Sequence, residues 1–480
     1  MFFHEVHAVP IGNNNGNCQG VIPYHALIIS QTALPKKRIT YLFYPKSDIV
    51  SSVKKIFPNS FIVYILVLFA AHIFFSFYKL QERAVYGWDQ VDNAWAAIRI
   101  LNEGKYPLLG MIAKGNSGMY IGPFYYYLVA LFYWVTHLNP IASPILAGCT
   151  SIFGFLSIYF VSHRLFGKRV AVWSCLIYTC SFSIIRTEHN QWPVNFIAPL
   201  SILIFYFLHE SLTKHIKYLL PAAFFTGLAF HMHFTAVFYP VIFLCTLPWY
   251  PKTTQTLKFI LLSLVLFLLL QTPQIIYYFD NNTGAVGNYI LYFNTYYHGL
   301  HLRRILQLVH DAFIEFEAII GVPYKFLRPA VFLYVPLFMF LSWNDTRLKN
   351  KFILPYLTFL WIAVPWLIFS TYRGEITDYY FLIQLYLAVI IFAYITVWLL
   401  NRKNLFVKLC IIVFWLYFVV SNIRAFFVNY PKGNLLTNTQ VVKNAIKKGE
   451  YIYFVEGSPN SYLYYYLLFI NNKLDQYKQN

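Results

Sequence analysis

The run Ile121-Gly122-Pro123-Phe124-Tyr125-Tyr126-Tyr127-Leu128-Val129-Ala130-Leu131-Phe132-Tyr133-Trp134-Val135-Thr136-His137-Leu138 holds 18 residues and no charge. Whether it crosses a membrane decides the topology of the chain, because every later loop changes side with the answer. Its neighbours make lipid the right solvent to consider. Further apolar runs cover 60–78, 141–162, 170–185, 194–209, 218–250, 258–278, 329–343, 352–370, 379–400 and 406–423. A helix crossing a bilayer needs about 20 apolar residues, somewhat fewer when flanking side chains reach outward. The run 218–250 is 33 residues without a charge, too long for one helix. With Pro221, His231, His233 and Pro240 inside it, it reads as two short spans with a turn near His233.

Composition agrees with the runs. Of the 480 residues, 59% are hydrophobic and 11% charged, against about a quarter charged in soluble proteins. A disordered chain is excluded, and the composition argues against a soluble enzyme. Six cysteines without a CxxC spacing make neither a disulfide framework nor a zinc site. The 37 Lys+Arg against 18 Asp+Glu give a net charge of +19, which invites a nucleic-acid reading.

Charge placement answers both questions. Short cytoplasmic loops carry the excess of Lys and Arg. With 121–138 left out of the count of spans, the loops 163–169, 210–217, 251–258, 344–351 and 401–408 share one side, with 13 basic residues against Glu210 and Asp345. The opposite segments 79–140, 186–193, 279–328 and 371–378 carry 11 basic residues and 11 acids. Counting 121–138 as a span would put the 13 outside. The sequence therefore predicts an all-α polytopic membrane protein of about 11 spans, N-terminus in and C-terminus out. The run 121–138 lies in the outer interface or re-enters, and Tyr125–Tyr127 and Tyr133-Trp134 suit an interfacial belt. The positive charge becomes a topology signal, and nucleic acid is not needed to explain it.

The same reading divides the chain into a cytoplasmic polar tail 1–59, a transmembrane domain 60–423 and a small outer tail 424–480. The first tail, with Asn13-Asn14-Asn15 and Lys36-Lys37-Arg38, reads as dispensable or as a misassigned start. The last holds one strand-like stretch, Tyr451–Val455. The fourth outer loop, 279–328, places Leu306, Val309, Phe313, Phe316 and Ile320 at helical spacing, a second amphipathic helix for the outer surface.

Most acids lie outside. The first outer loop, 79–140, reads Tyr86-Gly87-Trp88-Asp89-Gln90-Val91-Asp92-Asn93-Ala94-Trp95, and a helix follows with Val91, Ala94, Trp95, Ile98 and Leu101 on one face. Asp89 stands where the first span ends. A partly desolvated carboxylate there suits a general base toward a hydroxyl, or a metal ligand. It equally suits an N-cap, with Asp92 at the third helical position.

These residues resemble the GT-C superfamily of membrane glycosyltransferases. The similarity rests on Tyr86–Gln90 at the exit of the first span, then Gly118-Met119-Tyr120-Ile121-Gly122-Pro123 and Arg164-Leu165-Phe166-Gly167. It continues in the turn Arg186-Thr187-Glu188-His189-Asn190-Gln191-Trp192-Pro193-Val194-Asn195, in His233, in Pro273 to Asp280 and in Asp378-Tyr379-Tyr380, covering about 60–400. The branch with protein O-mannosyltransferases, lipid A aminoarabinose transferase and rhizobial core galacturonosyltransferases is most similar. The resemblance implies sugar transfer from a polyprenyl-phosphate donor at the outer face of the plasma (inner) membrane. The acceptor would be a hydroxyl of a glycan, lipid or protein. It implies Asp89 as base, assisted by Asp92, and a cation for the leaving phosphate, Lys114 or Arg186 before Arg303, Arg304 and Arg373. Glu188, His189, Asn190, Asn195, His233, Tyr379 and Tyr380 are the substrate-binding candidates. The pattern departs from the family at Gln90, where relatives often carry a second acid. A divalent metal is therefore not a fixed expectation, and no metal ligands are assigned.

Two other functions fit parts of the sequence. A cell-envelope polysaccharide polymerase or ligase would use the His- and Arg-rich loop around His298–His310. A lipid-linked sugar flippase would place ionisable groups near the midplane, whereas charges here avoid the apolar runs.

Overall fold

The computed structural model describes residues 60–112, 118–280, 285–297, 299–308, 328–345, 350–374, 376–429, 432–455 and 458–479. The chain divides into two units, Met1–Ser60 and Phe61–Asn480, and the helices and strands described below belong to the second, Ser60 apart. The tail 1–59, Lys114, and residues 309–320 of the expected amphipathic helix lie outside the described residues; residues 302–308 are helical.

The fold is almost entirely helical. In order come α1 Ser60–Phe77, a turn Leu80–Arg83, α2 Trp88–Glu103, α3 Phe124–Val135, α4 Ala142–Phe166, α5 Lys168–Cys180 and α6 Phe182–Glu188. Then follow α7 Ile197–Thr213, α8 Leu219–Phe230, α9 Phe238–Thr246, α10 Thr254–Leu270, α11 Thr272–Asp280 and α12 Ala285–Tyr296. The last are α13 Arg328–Asn344, α14 Ile353–Ser370, α15 Leu382–Leu400, α16 Leu405–Val428, α17 Leu435–Lys448 and α18 Pro459–Ile470. A two-stranded parallel sheet, β1 Ile452–Phe454 with β2 Tyr477–Gln479, brackets α18, and Ile452 pairs with Tyr477. The strand expected over 451–455 is β1.

Among the described residues five helices are long and apolar enough to cross a membrane: Ala142–Phe166, Pro193–Thr213, Ile353–Ser370, Tyr379–Leu400 and Leu405–Val428. The bent pairs α5–α6, at 67°, and α10–α11, at 61°, raise this to seven. Shorter apolar helices occupy 61–77, 216–230, 234–249 and 333–344, where the sequence expects the others. Exposed Leu261, Leu264, Val265 and Leu268 on α10, and Leu409, Ile412, Val413, Leu416 and Val420 on α16, make apolar stripes suited to lipid. The protein is an integral membrane protein. The deciding run 121–138 forms α3, of 12 residues, about 18 Å against a hydrocarbon core of about 30 Å. It packs on α2 and α4, and the expected face of α2 is buried, with Val91, Ala94 and Ile98 at most 4% exposed.

The loops sort to two ends. At one, Arg169 Nη1 donates to Asn401 Oδ1 at 2.9 Å, and Lys168 lies over the Phe61 ring. Ser211 meets Tyr250 at 2.6 Å, and Trp249 stacks near Phe352. These are the basic loops. The other end gathers the acid-bearing loops, and between them α4, α5, α7 and α15 form the core. There Trp361 Nε1 donates to Ser201 Oγ, which donates to the Ile383 carbonyl.

Candidate active site

The site begins with the start of α2. Gly87 is the N-cap residue, and its N–H is accepted by Gln90 Oε1 at 2.8 Å. Gln90 therefore takes the capping task, and Asp89, in the first turn, is left with its carboxyl outside the cap. That removes the N-cap alternative for Asp89. Gln90 Nε2 also donates to the Gln191 carbonyl at 2.7 Å. A carboxylate at position 90 would lose that bond.

Asp89 is half-buried. Desolvation, then the charge of Asp92, pushes its pKa above the ordinary carboxylate value, while the Trp192 side chain, hydrogen-bonding to the carboxylate, opposes the shift. Asp92, one turn of helix further round, accepts from Tyr126 Oη at 2.6 Å and has Arg99 4.0 Å away. It is held in place beside Asp89 and supplies negative charge.

Trp192 carries the site onward. Its ring lies against Tyr379, centroids 4.7 Å apart. Tyr379 meets His233 at 5.6 Å, and His233 meets Tyr380 at 5.5 Å. Residues from four separate stretches, Asp89, Trp192, His233 and Tyr379-Tyr380, thus form one continuous surface at the acidic end. His233 Nδ1 caps the turn that follows it, accepting from Thr235 N at 3.4 Å, and burial among the rings holds the imidazole down to about 3. It is neutral at neutral pH, so its other ring nitrogen carries the proton.

The turn 186–195 is split. Arg186 is exposed, and Asn190 is half-buried. Asn195, 2% exposed, donates to the carbonyls of Thr187 and Asn190 and so shapes the turn that presents Trp192. Glu188, 5% exposed, faces inward and accepts from Ser151 Oγ at 2.9 Å and from Tyr178 and Tyr386 Oη at 2.6 Å each. Gly154 permits this, since a Cβ there would collide with both tyrosine hydroxyls. His189 is buried, and burial with the nearby Arg83 charge pushes it down to about 3. His231 is bonded to main chain: Nε2 to the Leu270 carbonyl at 2.9 Å, Nδ1 to Phe124 N at 3.4 Å. Gly122 of the Gly-Pro motif is required by that imidazole, which a Cβ would strike.

Cations stand on the loop that leads to Tyr379. Arg373 N donates to the Tyr296 carbonyl, Arg373 Nη2 meets His301 at 3.1 Å, and Arg304 Nη2 donates to the Gly374 carbonyl. Among the described residues no three His, Cys, Asp or Glu side chains converge as metal ligands.

Two residues of the site escaped the sequence. Gln191 joins three helices, donating to Tyr125 Oη at 2.9 Å and accepting from Ser143 Oγ at 2.8 Å while its carbonyl takes Gln90. Asn434, from the C-terminal segment, binds the main chain of Tyr86. A lone amide between turn residues carries no periodic signal that would have marked either.

Three comparisons bear on this arrangement. Residues 110–277 match the family model described as dolichyl-phosphate-mannose-protein mannosyltransferase. The fold is similar to that of ArnT from Cupriavidus metallidurans bound to undecaprenyl phosphate, at 12% identity and TM-score 0.57, covering 85% of this chain and 87% of that one. It is also similar to the oligosaccharyltransferase AglB from Archaeoglobus fulgidus in complex with an inhibitory peptide and a dolichol-phosphate. That match has 11% identity and TM-score 0.50 and covers 85% of this chain and 60% of that one. No curated protein matches the sequence. The chain thus shares the fold of these two structures, and over residues 110–277 it is similar to the dolichyl-phosphate-mannose-protein mannosyltransferase family.

Proposed function

We propose that this protein transfers a sugar from a polyprenyl-phosphate donor to an acceptor hydroxyl, with Asp89 as general base. The observation that carries the reading is the continuous surface from Asp89 through Trp192 to Tyr379 and His233. A base needs a carboxylate whose pKa has been raised toward the working pH, and burial with the Asp92 charge raises that of Asp89. The acceptor hydroxyl gives its proton to Asp89 as its oxygen bonds the anomeric carbon. The bond from that carbon to the phosphate oxygen breaks, and polyprenyl phosphate leaves with inverted stereochemistry at the sugar. Charge builds on the departing phosphate, where cations are worth most in the transition state. Arg373 and Arg304, tied together by the 371–374 loop, are suited to that role, with Arg186 and Lys114 as the nearer-loop candidates. The half-buried rings of Trp192 and Tyr379 suit a sugar face, and Asn190 and the free nitrogen of His233 suit its hydroxyls.

The donor class is supported by the lipid phosphates bound in the two similar structures and by the matched family's description. Charge asymmetry supports an outward-facing site in a plasma membrane, about 11 spans, and the N-terminus inside. The test is a donor screen. Purified protein is offered a panel of polyprenyl-phosphate sugars with glycan, lipid and hydroxyl-bearing peptide acceptors. Release of polyprenyl phosphate coupled to a glycosylated product supports the reading, and movement of intact donor across vesicles without product would replace it with a flippase.

A further inference from the structure

The helix that carries Asp89 is clamped by a segment more than 300 positions later in the chain. Asn434 Oδ1 accepts from Tyr86 N at 2.7 Å, and its Nδ2 donates to the Tyr86 carbonyl at 2.9 Å. One side chain thus satisfies both main-chain groups of one residue, as a neighbouring strand would. The flanking backbone continues the pairing. Gly433 N donates to the Glu82 carbonyl at 2.8 Å and Leu435 N to the Ala84 carbonyl at 3.2 Å. Gly433 must lack a side chain, because a Cβ would collide with the Ala84 carbonyl. The partnered carbonyls at 82, 84 and 86 line the approach to Gly87, the N-cap of α2.

The amide that makes the clamp is itself aimed. Asn460 Oδ1, on α18, accepts from Asn434 Nδ2 at 3.1 Å and from Asn438 Nδ2 at 2.8 Å. Asn434, at the N-cap of α17, Asn438 on α17 and Asn460 on α18 therefore fix one rotamer. Aromatic contacts seat the same helices on α2: Trp88 meets Tyr462 at 4.4 Å, and Trp95 meets Tyr465, Tyr466 and Phe469 within 5.8 Å. Tyr466 Oη donates to the Leu138 carbonyl, in the turn that follows α3. Were this segment only an appendage, nothing would require its polar groups to converge on the residue before the N-cap.

We propose that Asn434 is a positioning residue for the glycosyl transfer, and that the module 432–479 sets where Asp89 points by fixing the Tyr86-Gly87 turn. The proposal rests on the functional reading above. Asp89 lies three positions after Tyr86, so a turn freed at Tyr86 lets the first turn of α2 unwind or rotate. A shift of about 1 Å in a reacting group can cost about a hundredfold in rate.

The experiment compares Asn434→Ala with Val442→Ala, which opens the buried core of α17 without touching Tyr86, and with Asn434→Asp, which keeps the acceptor for Tyr86 N but loses the donor. Each is measured for kcat, donor KM and hydrogen–deuterium exchange over residues 84–92. Asn434→Ala is expected to raise exchange in that segment about tenfold. It is also expected to lower kcat about ten- to a hundredfold with donor KM within twofold. Asn434→Asp should fall between it and the wild type. Val442→Ala should leave kcat near the wild-type value where it is folded. Wild-type exchange and kcat in Asn434→Ala would overturn the proposal, as would a loss of kcat in Val442→Ala as large as its own. A wild-type protein that transfers no sugar to any acceptor fails the functional reading instead, and the exchange arm still decides whether Asn434 holds the turn.

Discussion

The indole of Trp192 lies against the ring of Tyr379 with centroids 4.7 Å apart, while its side chain hydrogen-bonds to Asp89. One residue thus joins the base candidate at the head of α2 to the aromatic wall before α15. A single side chain doing both fixes the distance between the Asp89 carboxylate and the Tyr379 ring.

Replacing Trp192 by Phe keeps a ring against Tyr379 and removes the N–H. A hydrogen bond to a charged group contributes about 1.5–3 kcal/mol, so kcat should fall roughly ten- to a hundredfold. The sign of the pH effect follows from the same bond. Trp192 stabilises the charged form and lowers the Asp89 pKa, so its loss raises that pKa further. A base works deprotonated, and the acidic limb of the kcat profile should therefore move to higher pH. A limb that stays or moves down would separate Trp192 from Asp89.

Gln90 holds the place where the resemblance leads one to expect a second acid. In this chain its Oε1 caps Gly87 and its Nε2 donates to Gln191. Gln90→Glu keeps the first bond and sets a carboxylate oxygen against the Gln191 carbonyl. The expected result is a loss of about 1–3 kcal/mol in thermal unfolding in detergent, with no gain in transfer on adding magnesium or manganese. Metal-dependent gain of activity in that variant would mean that the loop is a metal site with one ligand missing.

The short α3 settles which side later loops occupy only if it does not cross the bilayer. Single cysteines at Asn139 and Lys403, introduced into a cysteine-free background, should label from opposite sides with a membrane-impermeant reagent. Position 139 should react from outside and 403 only after permeabilisation. The reverse pattern, 403 reacting from outside and 139 only after permeabilisation, is what a crossing α3 with the N-terminus inside would give, and it would overturn the expected orientation.

Much of this was legible in the sequence, for local reasons. The stripe Val91, Ala94, Ile98 announced the buried face of α2, and the uncharged runs announced the helices. The grouping of Arg169 with Asn401 and of Trp249 with Phe352 follows the division of loops that charge placement required. The gathering of Asp89, Trp192, His233 and Tyr379 was legible only as a shared face, not as contacts. Three features were not legible at all. Asn434 meets Tyr86, Gln191 ties three helices and Glu188 turns inward to Tyr178 and Tyr386. Each is a single polar side chain answering a partner far away in the chain, and no periodicity in the intervening sequence records such a pairing.

The most direct test of the account is sugar transfer by Asp89→Asn, with a donor that the wild-type protein uses. The substitution keeps the size of the side chain and removes its ability to take a proton. If Asp89 is the base, turnover falls about 10²- to 10⁴-fold, while thermal unfolding in detergent and donor binding stay at wild-type values. Undiminished turnover by a folded Asp89→Asn protein would contradict it.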